Sequence, residues 1–239
     1  MVAEFNTYQA FQIFRQHVLR ESRYVLDENA QLFLKTVLAT SGQRRREVPQ
    51  DRIYWRAQEG HGWELIQQDN DEFEVPTPHT QDRMRPGPHA ATEGRANPKG
   101  LPYLYLATDK ETAMAEVRPP VGSYVSVGQF KTLRPLIIFD CSVEHNSRFS
   151  LYFEEPDVEE RERAVWSDID RAFSEPVTIS DSCADYAPTQ ILSETFKREG
   201  YDGIAYKSKL GPGFNVALFD LQAADIINCF LFGGDVCQV

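Results

Sequence analysis

The N-terminal part of the chain carries its clearest helical pattern. Apolar residues recur at three- and four-residue spacing over residues 5–18, which places one apolar stripe along a helix. A second apolar run over 32–38 is followed by Gly42, a typical residue after a helix end. The pattern predicts a helical hairpin or a bent helix packed on the rest of the protein, with a homo-oligomer contact as the alternative role of its apolar stripe. We therefore divide the chain into a helical region, 1–48, and a second domain, 49–239.

The remainder of the chain alternates short apolar segments with helical spacing. Apolar or alternating segments predict strands at 52–57, 103–107, 123–130, 136–140, 203–208, 214–220 and 226–232. Helical spacing covers 154–173, and a further helix opens at Pro188 and closes at Gly200. From 59 to 100 the periodicity vanishes and prolines and glycines recur, which predicts a long insertion without regular structure. Strands in runs with helices between them indicate an α+β fold.

The central unit of the chain is the predicted strand 103–107 and the short helix after it. Thr108 and Glu111 have the spacing of a capping box, and Pro119 prevents the helix from continuing. Glu116 therefore lies in the last helical turn, where the negative end of the helix dipole disfavours a carboxylate. Such a departure from local preference is typical of functional sites. The alternative is a solvated surface glutamate.

Composition and charge exclude several classes of protein. The 239 residues are 41% hydrophobic, which suffices for a real core, and 25 basic against 36 acidic residues disfavour nucleic-acid binding. No apolar stretch is long enough to cross a membrane and no signal peptide is recognisable, so we expect a cytoplasmic protein. The four cysteines lack C-x-x-C spacing and the five histidines are scattered, which predicts reduced thiols and no metal site. The basic run 44–46 predicts a solvated linker.

Two arginines are candidates for anion binding. Arg56 stands in an aromatic strand, where alternation places it on the same face as Tyr54. Such an arginine is either paired with a carboxylate in the core or forms an anion-binding fork at a cleft. Arg95 and Asn97 lie at the end of the insertion and are delivered directly to the strand that carries Tyr105.

These residue types suit a particular ligand. Arginines hold a diphosphate, a tyrosine ring stacks on a flat heterocycle, and a hydroxyl such as that of Ser208 fixes an amide or a ribose. A lone carboxylate stabilises an oxocarbenium-like centre, as in glycoside cleavage. Nicotinamide adenine dinucleotide has all of these parts. Redox use of that molecule is disfavoured because no G-x-G-x-x-G follows a strand.

At this point the sequence resembles the RES-domain toxins, a family named for an arginine, a glutamate and a serine. The resemblance covers roughly residues 50–235 and leaves out the N-terminal helices. The matching segments, in order, are Tyr-Trp-Arg-Ala at 54–57, Gly-Arg-Ala-Asn-Pro-Lys-Gly at 94–100, Tyr-Leu-Tyr-Leu-Ala at 103–107, Ala-Met-Ala-Glu at 113–116, Pro-Thr-Gln at 188–190, Gly-Tyr-Asp-Gly-Ile-Ala-Tyr-Lys-Ser at 200–208 and Asn-Val-Ala-Leu-Phe at 215–219.

The resemblance implies an ADP-ribosyltransferase-like fold with a split mixed sheet, and NAD+ as a substrate rather than a cofactor. Family members are toxins of toxin–antitoxin systems, held inactive by an antitoxin of the Xre, helix-turn-helix type. They cleave the nicotinamide–ribose bond with water or with inorganic phosphate as co-substrate, which depletes NAD+ and arrests growth. Some members instead transfer ADP-ribose to a protein, which is the alternative reading for this chain.

Roles for individual residues follow from the same resemblance. Its implied catalytic residues are Glu116, which would stabilise the ribosyl cation, Arg56 and Ser208. Its implied substrate-binding residues are Arg95 on the phosphates, Tyr105 against nicotinamide, Asn97 and Tyr54. Two positions depart from the family pattern: Ala96 replaces an aromatic residue and Lys209 replaces a second serine.

A nuclease is a further alternative, because Arg56 and His61 have the R-x-x-x-x-H spacing of helical ribonucleases. Gly60, Gly62 and the aromatic strand before them oppose a helix there, and the acidic net charge opposes RNA binding. A purely binding role is the remaining alternative.

Overall fold

Ten strands and five α-helices form the part of the chain that the computed structural model describes, namely residues 4–68, 71–87, 91–145, 152, 154–175 and 183–233. The helices are α1 (Ala10–Arg20), α2 (Glu28–Ala39), α3 (Lys110–Val117), α4 (Val158–Ser174) and α5 (Ala187–Arg198). The strands are β1 (Arg45–Val48), β2 (Ile53–Glu59), β3 (Gly62–Gln68), β4 (Asp71–Thr77), β5 (Leu104–Ala107), β6 (Val125–Thr132), β7 (Leu136–Asp140), β8 (Gly203–Lys207), β9 (Phe214–Leu218) and β10 (Ala224–Phe232).

Eight of these strands form one mixed sheet, in the order β1-β7-β8-β9-β5-β2-β6-β10. The β7–β8 pair is parallel and every other neighbouring pair is antiparallel. β3 and β4 form a separate two-stranded hairpin. The predicted α+β fold with a mixed sheet is confirmed.

The sheet is nearly divided between β5 and β2. Only one residue pair, Trp55 with Ala107, joins these two strands, whereas β2 and β6 are paired along the whole of β2. We call this junction the seam. It separates a half-sheet of five strands, β1-β7-β8-β9-β5, from a half-sheet of three, β2-β6-β10.

Four helices pack on one face of the larger half-sheet. The predicted N-terminal helical hairpin is confirmed as α1 and α2, where Phe14 stacks on Phe33 with ring centroids 4.6 Å apart. Phe139 of β7 stacks on Phe196 of α5 at 3.7 Å and lies near Trp166 of α4. All of these rings belong to one buried cluster, so α1 and α2 share a core with α4, α5 and the sheet.

A second buried cluster lies on the opposite face of the larger half-sheet and includes side chains from both half-sheets. Leu106 and Val216 meet Phe130 and Ile226 there, and Tyr54, which is only 4% exposed, is part of the same cluster. A smaller apolar group joins α3 to β2 and β6. The helix therefore covers the seam region from one side.

The insertion predicted to be without regular structure contains the β3–β4 hairpin. Residues 71–74, which belong to that insertion, begin β4. The prediction was wrong because the hairpin exposes side chains of both faces, so no alternation of buried and polar positions marks it.

The predicted solvated linker at 44–46 is also wrong. Arg44 is 4% exposed and donates hydrogen bonds to the carbonyl oxygens of Cys141 and Val143. Arg45 and Arg46 belong to β1, and Arg46 forms an ion pair with Asp140 at 3.1 Å. The basic run therefore connects the edge strand β1 to the end of β7 and to the residues that follow it.

Cys141 and Cys229 are free thiols. Cys237 and His89 lie outside the described residues, as does the side chain of Cys183. No helix in the described ranges has the length and apolar character needed to span a bilayer. Nor do the described residues include three or more His, Cys, Asp or Glu side chains grouped so that they could hold a metal ion.

Candidate active site

The helix α3 begins one residue later than the capping box predicts. Asp109 is the N-cap residue and accepts a hydrogen bond from the backbone N–H of Thr112 at 2.8 Å. Thr108 instead accepts from the backbone N–H of Phe214 and so fastens the helix start to β9. Gly213 is required beside this cap, because a Cβ atom there would lie 1.7 Å from an Asp109 carboxylate oxygen. The predicted position of Glu116 in the last turn is confirmed.

Two donors fix the Glu116 carboxylate. Ser208 Oγ and Asn215 Nδ2 each donate a hydrogen bond to the same oxygen, Oε1, at 2.7 Å. Both donors are buried, whereas Glu116 itself is exposed to the cleft described below. No described residue donates a hydrogen bond to Oε2. The carboxylate is therefore oriented through one oxygen and presents the other to a ligand.

Ser208 has no free hydrogen-bonding capacity for a ligand. Its hydroxyl accepts from the backbone N–H groups of Leu210 and Gly211, at 3.1 and 3.0 Å, and donates its proton to Glu116. The serine is 3% exposed and does not line the cleft. Its geometry is that of a residue that positions Glu116.

Arg56 lies at the seam with an incompletely satisfied guanidinium group. Its Nη1 donates to the carbonyl oxygen of Tyr105 at 3.0 Å. In the amide orientation that satisfies its neighbours, Gln58 accepts from Nη2 at 3.3 Å and donates to the carbonyl of Arg83. The Nε atom is buried without a partner, and no described carboxylate pairs with the group. Burial lowers the pKa of Arg56 to about 10, so the side chain is still charged at neutral pH.

Tyr105 and Asn97 form a buried hydrogen-bonded pair. The Tyr105 hydroxyl donates to Asn97 Oδ1 at 2.7 Å and accepts from the backbone N–H of Ala96. Burial raises the pKa of Tyr105, so this phenol stays protonated. The Asn97 amide nitrogen donates to three carbonyl oxygens of its own loop, those of Thr92, Pro98 and Leu101. Asn97 therefore shapes the loop and orients Tyr105.

Arg95 lies behind the cleft rather than in its wall. Its Nη1 donates to the carbonyl oxygen of Phe173, and its guanidinium carbon lies 5.8 Å from the centre of the Tyr206 ring. Thr189 of α5 binds the Arg95 carbonyl oxygen at 2.7 Å. The neighbouring Gln190 donates to three further acceptors in residues 93–97. The start of α5 thus holds the loop that carries Arg95.

A cleft of about 490 Å³ opens at the seam, between β2, β5 and α3. Of the sequence-predicted residues, Arg56, Tyr105 and Glu116 line it together. Arg95, Asn97 and Ser208 do not line it but contact residues that do. Tyr54 lies apart, in the cluster between the two half-sheets. The residues that line the cleft are Trp55, Arg56, Ala57, Gln58, Glu59, Arg83, Tyr105, Leu106, Ala107, Ala113, Glu116, Val117, Tyr206 and Asn215.

The sequence predictions missed five polar residues of the cleft, namely Gln58, Glu59, Arg83, Tyr206 and Asn215. Tyr206 and Asn215 are direct partners across the β8–β9 ladder, and Asn215 also pairs with Ala107 at the end of β5. They reach the cleft because β9 lies between β8 and β5. The available signal in the sequence was Asn215, a polar residue near the start of the otherwise apolar strand β9.

The arrangement is suited to a ligand that carries both an anion and a flat ring. Arg56 supplies a positive charge that no described carboxylate pairs with, and Tyr105 and Tyr206 supply aromatic surface. Glu116 supplies a fixed carboxylate able to stabilise a developing positive charge.

Comparisons with known proteins are limited but specific. A family model described as the RES domain matches residues 63–231, which is more than half of the chain. The match includes Arg95, Tyr105, Glu116 and Ser208, and Arg56 precedes it. No curated protein sequence matches. Among solved structures, a chain of the Mycobacterium tuberculosis MbcT–MbcA toxin–antitoxin complex is similar over 81% of this chain and 90% of that one, with 12% identity and a TM-score of 0.48.

Proposed function

The chain belongs to the RES domain family, and on this premise we propose that it is a toxin of a toxin–antitoxin system that cleaves NAD+. The bond cleaved is the one between nicotinamide and ribose. The single observation that carries the proposal is the meeting of Arg56 and Glu116 in one cleft. One is a charged group without a counter-ion in the described part of the chain, and the other is a carboxylate fixed by two donors.

The two groups would act on different parts of NAD+. Arg56 would bind a phosphate oxygen of the diphosphate, because an unpaired guanidinium in a partly buried site gains most from an anionic partner. Tyr105 or Tyr206 would contact the nicotinamide ring. Glu116 would face the ribose, with Oε2 directed at the carbon whose bond breaks.

The chemical step follows from the charges of the substrate. When the bond breaks, its electron pair leaves with the nicotinamide nitrogen, which becomes neutral, and the ribose carbon gains positive charge. The Glu116 carboxylate stabilises that charge electrostatically. A water molecule then adds to the carbon and releases one proton, which yields ADP-ribose. Inorganic phosphate would add in the same manner and yield ADP-ribose phosphorylated at that carbon.

The test is direct incubation of the purified protein with NAD+ and measurement of released nicotinamide. Glu116→Gln keeps the size and the polar contacts of the side chain but removes its charge, and we expect the rate to fall by about 10²- to 10³-fold. Glu111→Gln, on the first turn of the same helix, is the matched control and should retain the wild-type rate. Full activity of Glu116→Gln would contradict the proposed role.

Product identification separates the possible acceptors. In a buffer without phosphate we expect free ADP-ribose as the product. If phosphate is the acceptor, adding phosphate to the buffer should yield phosphorylated ADP-ribose. Transfer of labelled ADP-ribose to a protein would instead establish the ADP-ribosyltransferase alternative with the same cleft. Release of no nicotinamide under any of these conditions would overturn the proposal.

A further inference from the structure

The β3–β4 hairpin exposes apolar side chains on both of its faces. Trp63 is 61% exposed and Leu65 58% exposed, and both lie on one face because residues two apart in a strand point the same way. Ile66 and Phe73, directly opposite each other across the hairpin, lie on the other face and are 38% and 42% exposed. A two-stranded hairpin is by itself only marginally stable in water. The exposed apolar side chains therefore indicate a surface that another protein segment covers.

The charge of the hairpin indicates what covers it. Residues 62–77 contain no lysine, arginine or histidine. Their charged side chains are all acidic, namely Glu64, Asp69, Asp71, Glu72 and Glu74. A second copy of this chain would bring two such surfaces together, and like charges across an interface are unfavourable. A partner segment with apolar side chains and an excess of lysine or arginine is complementary to the hairpin.

The base of the hairpin is fixed beside the cleft. Glu59, at the end of β2, lines the cleft, and β3 begins three residues later. Ser126 Oγ donates to the Gly60 carbonyl at 2.8 Å and accepts from the backbone N–H of His79 at 2.9 Å. The two chain segments that enter and leave the hairpin are thus joined to the same residue of β6. A partner on the hairpin would border the entrance of the cleft.

We propose that the β3–β4 hairpin is the docking surface for the antitoxin, which contacts it through a cationic segment with apolar side chains. The identity of the partner rests on the function proposed above. The surface itself is assigned from its exposure, its charge and its attachment beside the cleft. An antitoxin held there needs no contact with Glu116 to obstruct entry of NAD+.

The experiment measures binding of the purified full-length chain to its co-encoded antitoxin by calorimetry at two salt concentrations. The double variant Trp63→Ser, Leu65→Ser should raise Kd by about tenfold or more, since exposed aromatic residues dominate interface energies. Glu72→Lys should also raise Kd and reduce its dependence on salt. Val121→Ser, which alters an exposed apolar residue outside the hairpin, is the control and should bind as the wild type does.

Several outcomes would overturn the proposal. One is a wild-type Kd for both hairpin variants. Another is a free wild-type chain that self-associates and becomes monomeric with Trp63→Ser, which would assign the hairpin to a second copy. Nicotinamide release by the free variants, measured separately, should equal that of the wild type. If the wild-type chain releases no nicotinamide but binds the antitoxin through the hairpin, the proposed enzyme activity is refuted and the docking surface stands. If the chain is active but the hairpin variants bind the antitoxin as the wild type does, the docking surface is refuted and the enzyme activity stands.

Discussion

Arg44 and Arg56 are both largely withdrawn from solvent, yet their surroundings differ. Arg44 lies beneath the helical layer, where two carbonyl oxygens accept its hydrogen bonds and its guanidinium carbon lies 4.0 Å from the centre of the Trp166 ring. Burial lowers the pKa of Arg44, and the carboxylates of Glu144, Asp170 and Asp140 oppose that effect. Arg56 has one main-chain carbonyl and one side-chain amide as acceptors, and its Nε has none.

The comparison shows that burial of an arginine does not identify its role, whereas the satisfaction of its donors does. Acceptors within the protein offset the desolvation cost of Arg44, so replacing this arginine should lower the stability of the fold. The desolvation cost of Arg56 is only partly offset, which is typical of a group that awaits a ligand. Four substitutions separate these two cases, from the largest expected effect to the smallest.

Arg56→Met should lower kcat/KM for NAD+ by about 10²- to 10³-fold, because the substrate phosphate would enter the cleft without a cationic partner. The unfolding temperature should change by less than about 3 °C, since Arg56 forms no ion pair with a described residue. Steady-state kinetics and thermal denaturation measure the two effects. Arg56→Lys keeps the charge and should recover part of the activity. An unchanged kcat/KM with a large loss of stability would place Arg56 in the same class as Arg44.

Arg44→Met should lower the stability of the fold and leave the activity of the folded protein unchanged. It leaves a buried and a part-buried carbonyl oxygen without their donor and removes a positive charge near Asp140 and Asp170. We expect the free energy of unfolding to fall by about 3 kcal/mol. Chemical denaturation followed by circular dichroism measures the loss. In the fraction that remains folded, kcat/KM for NAD+ should equal that of the wild type, and a selective loss of activity would refute a purely structural role.

Asn215→Ala should lower kcat by about tenfold and leave KM unchanged, because it removes one of the two donors that orient Glu116 without touching the anion site. The matched control is Asn228→Ala on β10, whose side chain donates to Gln129 at the surface. Combining Asn215→Ala with Ser208→Ala should cost less than the sum of the two single changes, since both donors act on one oxygen atom. Additive effects would show that the donors act separately.

Tyr54→Phe should have the smallest effect. Tyr54 lies between the half-sheets, and loss of its hydroxyl should change the free energy of unfolding by less than about 1 kcal/mol and leave kcat/KM unchanged. A large rise in KM would instead support the substrate-binding role that the family resemblance implies for this residue.

Elements with local signals could be predicted from the sequence. β7 was predicted with its observed bounds from a continuous apolar run, and α5 from the proline in its first turn. Glu116 was singled out because its helix is short and ends at two prolines. These features depend on neighbours within a few residues, so no knowledge of the fold was needed.

The remaining features depend on contacts between distant segments. The acceptors of Arg44 lie in Cys141 and Val143, far along the chain, and nothing in the basic run indicates them. Asn215 joins the candidate site only because β9 is placed between β8 and β5. The same holds for Arg95, whose sequence motif could be recognised although its contact with Phe173 depends on the packing of α4.

The seam gives Arg56 a second, mechanical significance. With a single residue pair between β2 and β5, the backbone ladder contributes little resistance to separation of the half-sheets there. The hydrogen bond from Arg56 on β2 to the carbonyl of Tyr105 on β5 crosses the seam and adds a contact between the half-sheets. An anion bound by the guanidinium group would compete with the Tyr105 carbonyl for this donor. Anion binding in the cleft and this contact between the half-sheets therefore depend on the same side chain.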